Sequence, residues 1–200
     1  MGRARRGCLR EMDMGQDVVE FNRLVTRGLT PNVALQVMAG ELDEEFEVAS
    51  WKTRDEARTW AANPENREIK LVPLWDCDPS MFYLSMDGRL PTSFEASELT
   101  LVEADVADVT SHLQFLSSRS EGPWEARYES KTGGIAYRWA HGLSVTPTLV
   151  SLVGSKVTIQ GGMHRFHLAR HHEAARIPLL IRTSELEQLL SILKSAKGLG

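Results

Sequence analysis

Residues Thr148–Arg182 read TLVSLVGSKVTIQGGMHRFHLARHHEAARIPLLIR, and the fold is decided inside this stretch. Leu149–Val153 and Lys156–Gln160 are two β-branched or aliphatic runs separated by Gly154-Ser155. A two-residue link with glycine first suits a type II′ turn, so the spacing predicts strand, tight turn, strand. Gly161-Gly162 interrupts the pattern, and Met163–Ala175 then has the composition of a helix, with no proline or glycine inside it. Ile177-Pro178-Leu179-Leu180-Ile181 reads as a short buried strand. The glycine pair therefore stands where a strand hands over to a helix.

That position carries chemistry. A helix start presents backbone N–H groups outside the helical ladder and a partial positive charge, and glycines let an anion come close to the backbone. His164 and Arg165 add an imidazole and a guanidinium fork in the first turn. Together these groups suit a phosphate.

The same residues carry a family resemblance. GGMHR at 161–165 after a hairpin, a helix with Leu168-Ala169, an Ile-Pro strand and a last helix over Ser184–Leu193 resemble sulfiredoxin. More broadly they resemble the superfamily that sulfiredoxin shares with the N-terminal domain of ParB partition proteins. The likeness is strongest over 147–196 and reaches weakly back to Leu99. In sulfiredoxins the matching GGCHR loop binds ATP phosphates, and its cysteine attacks the phosphorylated sulfinic acid of a peroxiredoxin. Gly161, Gly162, His164 and Arg165 match that motif, while Met163 takes the cysteine position. A thioether cannot become a thiolate nucleophile. The resemblance thus implies binding of ATP or another nucleoside triphosphate, with Mg2+, and not sulfiredoxin chemistry.

The whole composition is that of a globular chain: 42% hydrophobic, 25% charged and a net charge of −4. Such a balance gives no support for a general nucleic-acid coat. Cys8 and Cys77 are far apart, without a CxxC, which points away from a disulfide framework or a thiolate zinc site and towards the cytoplasm. No apolar run is long enough for a membrane span. Residues 1–16, with Arg3, Arg5, Arg6 and Arg10, read as a basic, flexible tail; 17–97 as an N-terminal α/β elaboration; and 98–200 as the nucleotide-binding module. The expected class is α+β, a ParB/sulfiredoxin-like mixed sheet with flanking helices.

Within the elaboration, Asp17 caps an expected helix to Arg27, and Thr30-Pro31 opens a second that ends before Gly40. A helix-turn-helix is conceivable there, although Asn32–Ala39 has no basic residue for DNA. Phe46–Trp51 looks like a strand, followed by a helix from Thr53 to Ala62 that Asn63-Pro64 breaks. Ile69–Trp75 and Met81–Met86 are further strand candidates, with a hairpin turn at Asp87-Gly88. In the module, Leu99–Glu103 is a strand and Asp105–Leu116 a capped helix, while Trp124–Trp139 suggests a hairpin around Thr132-Gly133-Gly134.

Phosphoryl transfer would need a carboxylate as base or magnesium ligand near the phosphates. Asp105 and Asp108, with Glu103, lie in the acidic approach to the expected helix and are the catalytic candidates. The resemblance places phosphate-binding groups on a helix at about this point, and Ser111 and His112 are the nearest counterparts. His164, His167 and His171 share a helix face, but no carboxylate or thiolate close in sequence completes a metal set, and none is expected. Three functions follow: a nucleotide-binding enzyme passing a phosphoryl group to a protein or small-molecule acceptor, a non-catalytic nucleotide switch or DNA-associated module, and a protein-interaction domain.

Overall fold

The computed structural model describes residues 14–86 and 89–199. They form two compact units, one ending at Trp51 and one beginning at Lys52. The border expected at 97/98 falls inside the second unit. The Asp87-Gly88 turn and most of the expected basic tail lie outside the described residues.

The first unit holds α1 (Met14–Thr26), α2 (Pro31–Met38) and the first turns of α3 (Glu44–Ala61). Thr30 caps α2 by accepting from the Val33 N–H, and Pro31 follows where its missing N–H costs nothing. Leu24, Leu29, Ala34 and Val48 are buried together. Gly28 ends α1 with φ 101°, and a Cβ there would stand 2.4 Å from the Trp51 indole nitrogen.

Phe46–Trp51 is helix, which corrects the strand expected there. The Asp43 carboxylate accepts from Phe46 N–H at 2.8 Å, and Glu44, Glu45 and Glu47 place negative charge in the first turn. With that start, Thr53 lies mid-helix and not at a helix start. The Asn63-Pro64 break falls as expected, with α3 ending at Ala61.

The second unit is a mixed α+β structure around a five-stranded sheet of order β3-β2-β4-β1-β5. The strands are β1 (Leu99–Asp105), β2 (Thr148–Val153), β3 (Lys156–Gly161), β4 (Arg176–Arg182) and β5 (Lys197–Gly198). β1 lies antiparallel to β4 from Leu99↔Arg182 to Asp105↔Arg176, and β2 is parallel to β4 over Thr148–Val150. β2 and β3 form the expected hairpin, with Gly154 at φ 62° and a register shift at Leu149/Val150. Pro178 lies one residue before the point where β2 joins β4, so its missing N–H interrupts no bond of that ladder.

Besides the rest of α3, this unit contains α4 (Val106–His112), α5 (Glu129–Ala140), α6 (Met163–His171) and α7 (Leu186–Ile192). Val102, Val150, Ile159, Leu179 and Ile181 meet Phe166, Leu168 and Trp139 in the main core. Leu149 and Leu180 belong to a separate cluster with Phe82 and Leu99. Three expectations are corrected here. Met81–Met86 is no strand: the Asp78 side chain accepts from Ser80 N–H, and Pro79–Ser85 winds as 3-10 helix. Ile69–Trp75 is no strand, and among these residues only Trp75 bridges, to Val145. Trp124–Trp139 is no hairpin, because Gly133 is a packing glycine inside α5. A Cβ there would come within 2.7 Å of Ala61 Cβ.

Candidate functional site

β3 ends at Gly161 and α6 begins after Gly162, which adopts φ 82°, ψ 25°. This is left-handed backbone that glycine enters without steric cost. The first helical bond runs from Phe166 N–H to Gly162 O at 3.1 Å. The N–H groups of Met163, His164 and Arg165 therefore lie outside the ladder, and no side chain caps this end. Arg165 folds back over the turn: a Cβ on Gly162 would stand 2.0 Å from its Nε. Gly161 serves packing, since a Cβ there would collide with the Ser85 carbonyl oxygen.

His164 meets Tyr128 edge-on, with ring centroids 5.7 Å apart. The Arg119 guanidinium lies over the same Tyr128 ring at 3.8 Å, and Lys131 stands in the first turn of α5. Burial, then the charges of Arg119 and Lys131, push the His164 pKa down to about 4. Its Nδ1 is buried without a hydrogen-bond partner, as is Arg119 Nη1. Burial likewise lowers the Arg119 pKa. Three elements thus bring Arg119, Lys131 and His164 into one neighbourhood at a helix start, where Arg165 follows His164 in the first turn. Arg127, also over Tyr128, is ion-paired with Glu121.

Sequence reading named Gly161, Gly162, His164 and Arg165, and these do stand together. It missed Arg119, Lys131 and Tyr128. Arg119 sits in a polar loop, and Lys131 lies in a stretch read as a hairpin arm, so nothing in their spacing pointed to His164.

The other named residues lie elsewhere. Asp105 is paired with Arg176 at 2.5 Å, and Glu103 binds Arg176 at 2.9 Å and Lys197 at 3.3 Å. The bond to Arg176, chiefly, holds the Glu103 carboxyl below its usual range. Asp108 accepts from Ser195 N–H at 2.9 Å and Ser195 Oγ at 2.8 Å. Burial opposes its charge, yet these bonds and His112 more than offset that and lower its pKa. Ser111 donates to the Asp108 carbonyl and borders a groove with Arg170, Glu173 and Ala174. That groove adjoins the C-terminal end of α6, about 13 Å along the helix from Gly162 at 1.5 Å per residue. Asp105 and Asp108 are thus joined to β4 and to the chain's C-terminal segment, while Ser111 bonds within α4.

Asp108→Asn is expected to cost about 1–2 kcal/mol by weakening a charge-assisted pair of bonds. Its urea midpoint should fall while affinity for a phosphate ligand stays within about twofold, since the site is remote from the carboxylate. An unchanged midpoint would show that Asp108 does not hold Ser195.

The three histidines of the α6 face do not share one environment. His167 is 3% exposed, whereas His171 is exposed. His172 accepts from Leu71 N–H at 3.4 Å. A separate cleft lies between Ser85, Ser151, Gln160, Arg182 and Glu185. No helix among the described residues is long and apolar enough to cross a membrane. No protein-family model, curated protein or solved structure matches this chain.

Proposed function

We propose that the chain is a ParB/sulfiredoxin-like protein that binds the phosphates of a nucleoside triphosphate at Gly162–Arg165. The observation that carries this reading is the gathering of Arg119 and Lys131 near His164, whose Nδ1 is buried without a hydrogen-bond partner, at a helix start with no side-chain cap. Such a place gathers positive potential that an anion stabilises. Arg165, folded over Gly162 at the helix start, supplies a planar fork for phosphate oxygens.

Binding is favoured over phosphotransfer. Asp105 and Asp108, the carboxylates a transfer reaction would recruit, are committed to Arg176 and Ser195. A nucleotide switch fits this arrangement better than an enzyme with a separate acceptor. The sulfiredoxin reaction is not part of the reading, since Met163 provides no thiolate.

Titration with ATP, CTP and GTP, with and without Mg2+, should raise the thermal midpoint as ligand saturates the folded state. Arg165→Ala should weaken binding by about 1.5–3 kcal/mol, roughly 10- to 150-fold. Equal affinity in the wild type and a folded Arg165→Ala variant would remove the arginine from the site. No midpoint shift with any nucleotide would remove nucleotide binding.

A further inference from the structure

The segment that presents Arg119 leaves the main core at Leu113. Phe115 is 87% exposed and Leu116 77% exposed, so burial of large side chains does not fix the loop. Polar ties hold it instead. Ser117 Oγ accepts from Ile159 N–H in β3 at 2.9 Å. The Ser117 carbonyl accepts from His167 Nε2 at 3.0 Å, and the Arg119 carbonyl accepts from Arg170 Nη2 at 3.0 Å. Two of these donors come from α6, the helix whose first turn carries His164 and Arg165.

We infer that His167 and Arg170 are positioning residues that set Arg119 over the phosphate site by holding the carbonyls of Ser117 and Arg119. One short helix then supplies ligand contacts from its first turn and fixes the third cation from its next turns. His167 performs this as the neutral tautomer with the proton on Nε2, because a carbonyl can only accept. Nδ1 has no partner among the described residues, so the Ser117 carbonyl is the one hydrogen bond that gives the ring a role. Loss of either donor removes one of the two ties from α6 and weakens the hold on the Arg119 guanidinium beside Tyr128. This inference rests on the phosphate reading and goes beyond it by assigning two residues that touch no ligand.

The test is calorimetric titration of inorganic pyrophosphate into the full chain. Arg119→Ala is expected to bind about 10-fold more weakly, and His167→Phe and Arg170→Met each several-fold more weakly, as expected for removal of a charge-assisted contact or of its support. His167→Gln, whose amide can donate near the Nε2 position, should stay close to wild type. Added to Arg119→Ala, neither His167→Phe nor Arg170→Met should weaken binding further, because the group they position is gone. That non-additivity separates positioning from general destabilisation. If His167→Phe does not fold, the half-buried Arg170→Met carries the same comparison. Wild-type binding that Arg119→Ala weakens, but that both positioning variants leave intact or reduce independently of Arg119, would overturn the inference alone. Absence of wild-type binding would overturn the phosphate reading and the inference together.

Discussion

Gly161→Ala should destabilise the second unit by about 3 kcal/mol or more, because overpacking against a fixed backbone leaves little room to relax. The added Cβ would lie 1.9 Å from the Ser85 carbonyl oxygen and 3.1 Å from its carbon. A backbone carbonyl cannot swing aside as the end of a side chain can, so either β3 or the Pro79–Ser85 turn must move. Phe82 and Leu149 belong to one buried cluster, and separating these elements would open it. Gly134→Ala provides the control: a Cβ there meets nothing within 4 Å, and the residue lies inside α5. That change should be neutral or stabilise by up to about 1 kcal/mol through helix propensity. Urea midpoints of the two variants should therefore move in opposite directions or differ strongly. Equal midpoints would mean that Gly161 does not pack on Ser85.

Stability should also fall as pH drops from about 6.5 towards 4.5, beginning well above the carboxylate range. His164, His167 and His172 each have a folded pKa of about 4 against an ordinary 6.5, chiefly through burial. Between those values the unfolded chain binds protons that the folded chain refuses. Stability is therefore fully present above 6.5 and is lost progressively as pH falls towards 4. Each histidine can contribute at most about 1.4 kcal/mol per pH unit in that window. His167, at 3% exposure, should contribute most, on the order of 2 kcal/mol by pH 4.5, and the two more exposed rings less. Glu103 and Asp108, whose pKa values are lowered, lose their contributions only at lower pH, through the carboxylate range. Urea midpoints at pH 7, 6 and 5 should decline in the wild type and decline less in His167→Gln. Identical slopes would show that His167 is not buried as a neutral ring.

The sheet between Thr148 and Arg182 was legible because local signals agreed there. β-branched or aliphatic runs and a Gly-Ser turn favoured the same answer. Elsewhere a local signal was overruled by a contact made far away in the chain. Gly133-Gly134 resembles a turn in sequence, yet the first glycine is needed where α5 approaches Ala61. Phe46–Trp51 has the residues of a strand, but Asp43 and the acidic first turn begin a helix ahead of it. The candidate site divides in the same way. Gly162, His164 and Arg165 are contiguous and could be read as a unit, while Arg119 and Lys131 reach it only through the packing of a loop and of α5. Asp105 and Asp108 looked available because sequence does not reveal that Arg176 and Ser195 already hold them.

The most direct measurement of the central claim is a backbone amide NMR titration of the full chain with ATP. The account predicts that the largest shift changes fall on the amides of Gly162, Met163, His164 and Arg165, with smaller changes at Arg119 and Lys131. Absence of shift changes at millimolar ATP, or changes centred instead on Ser151, Gln160 and Arg182, would contradict it.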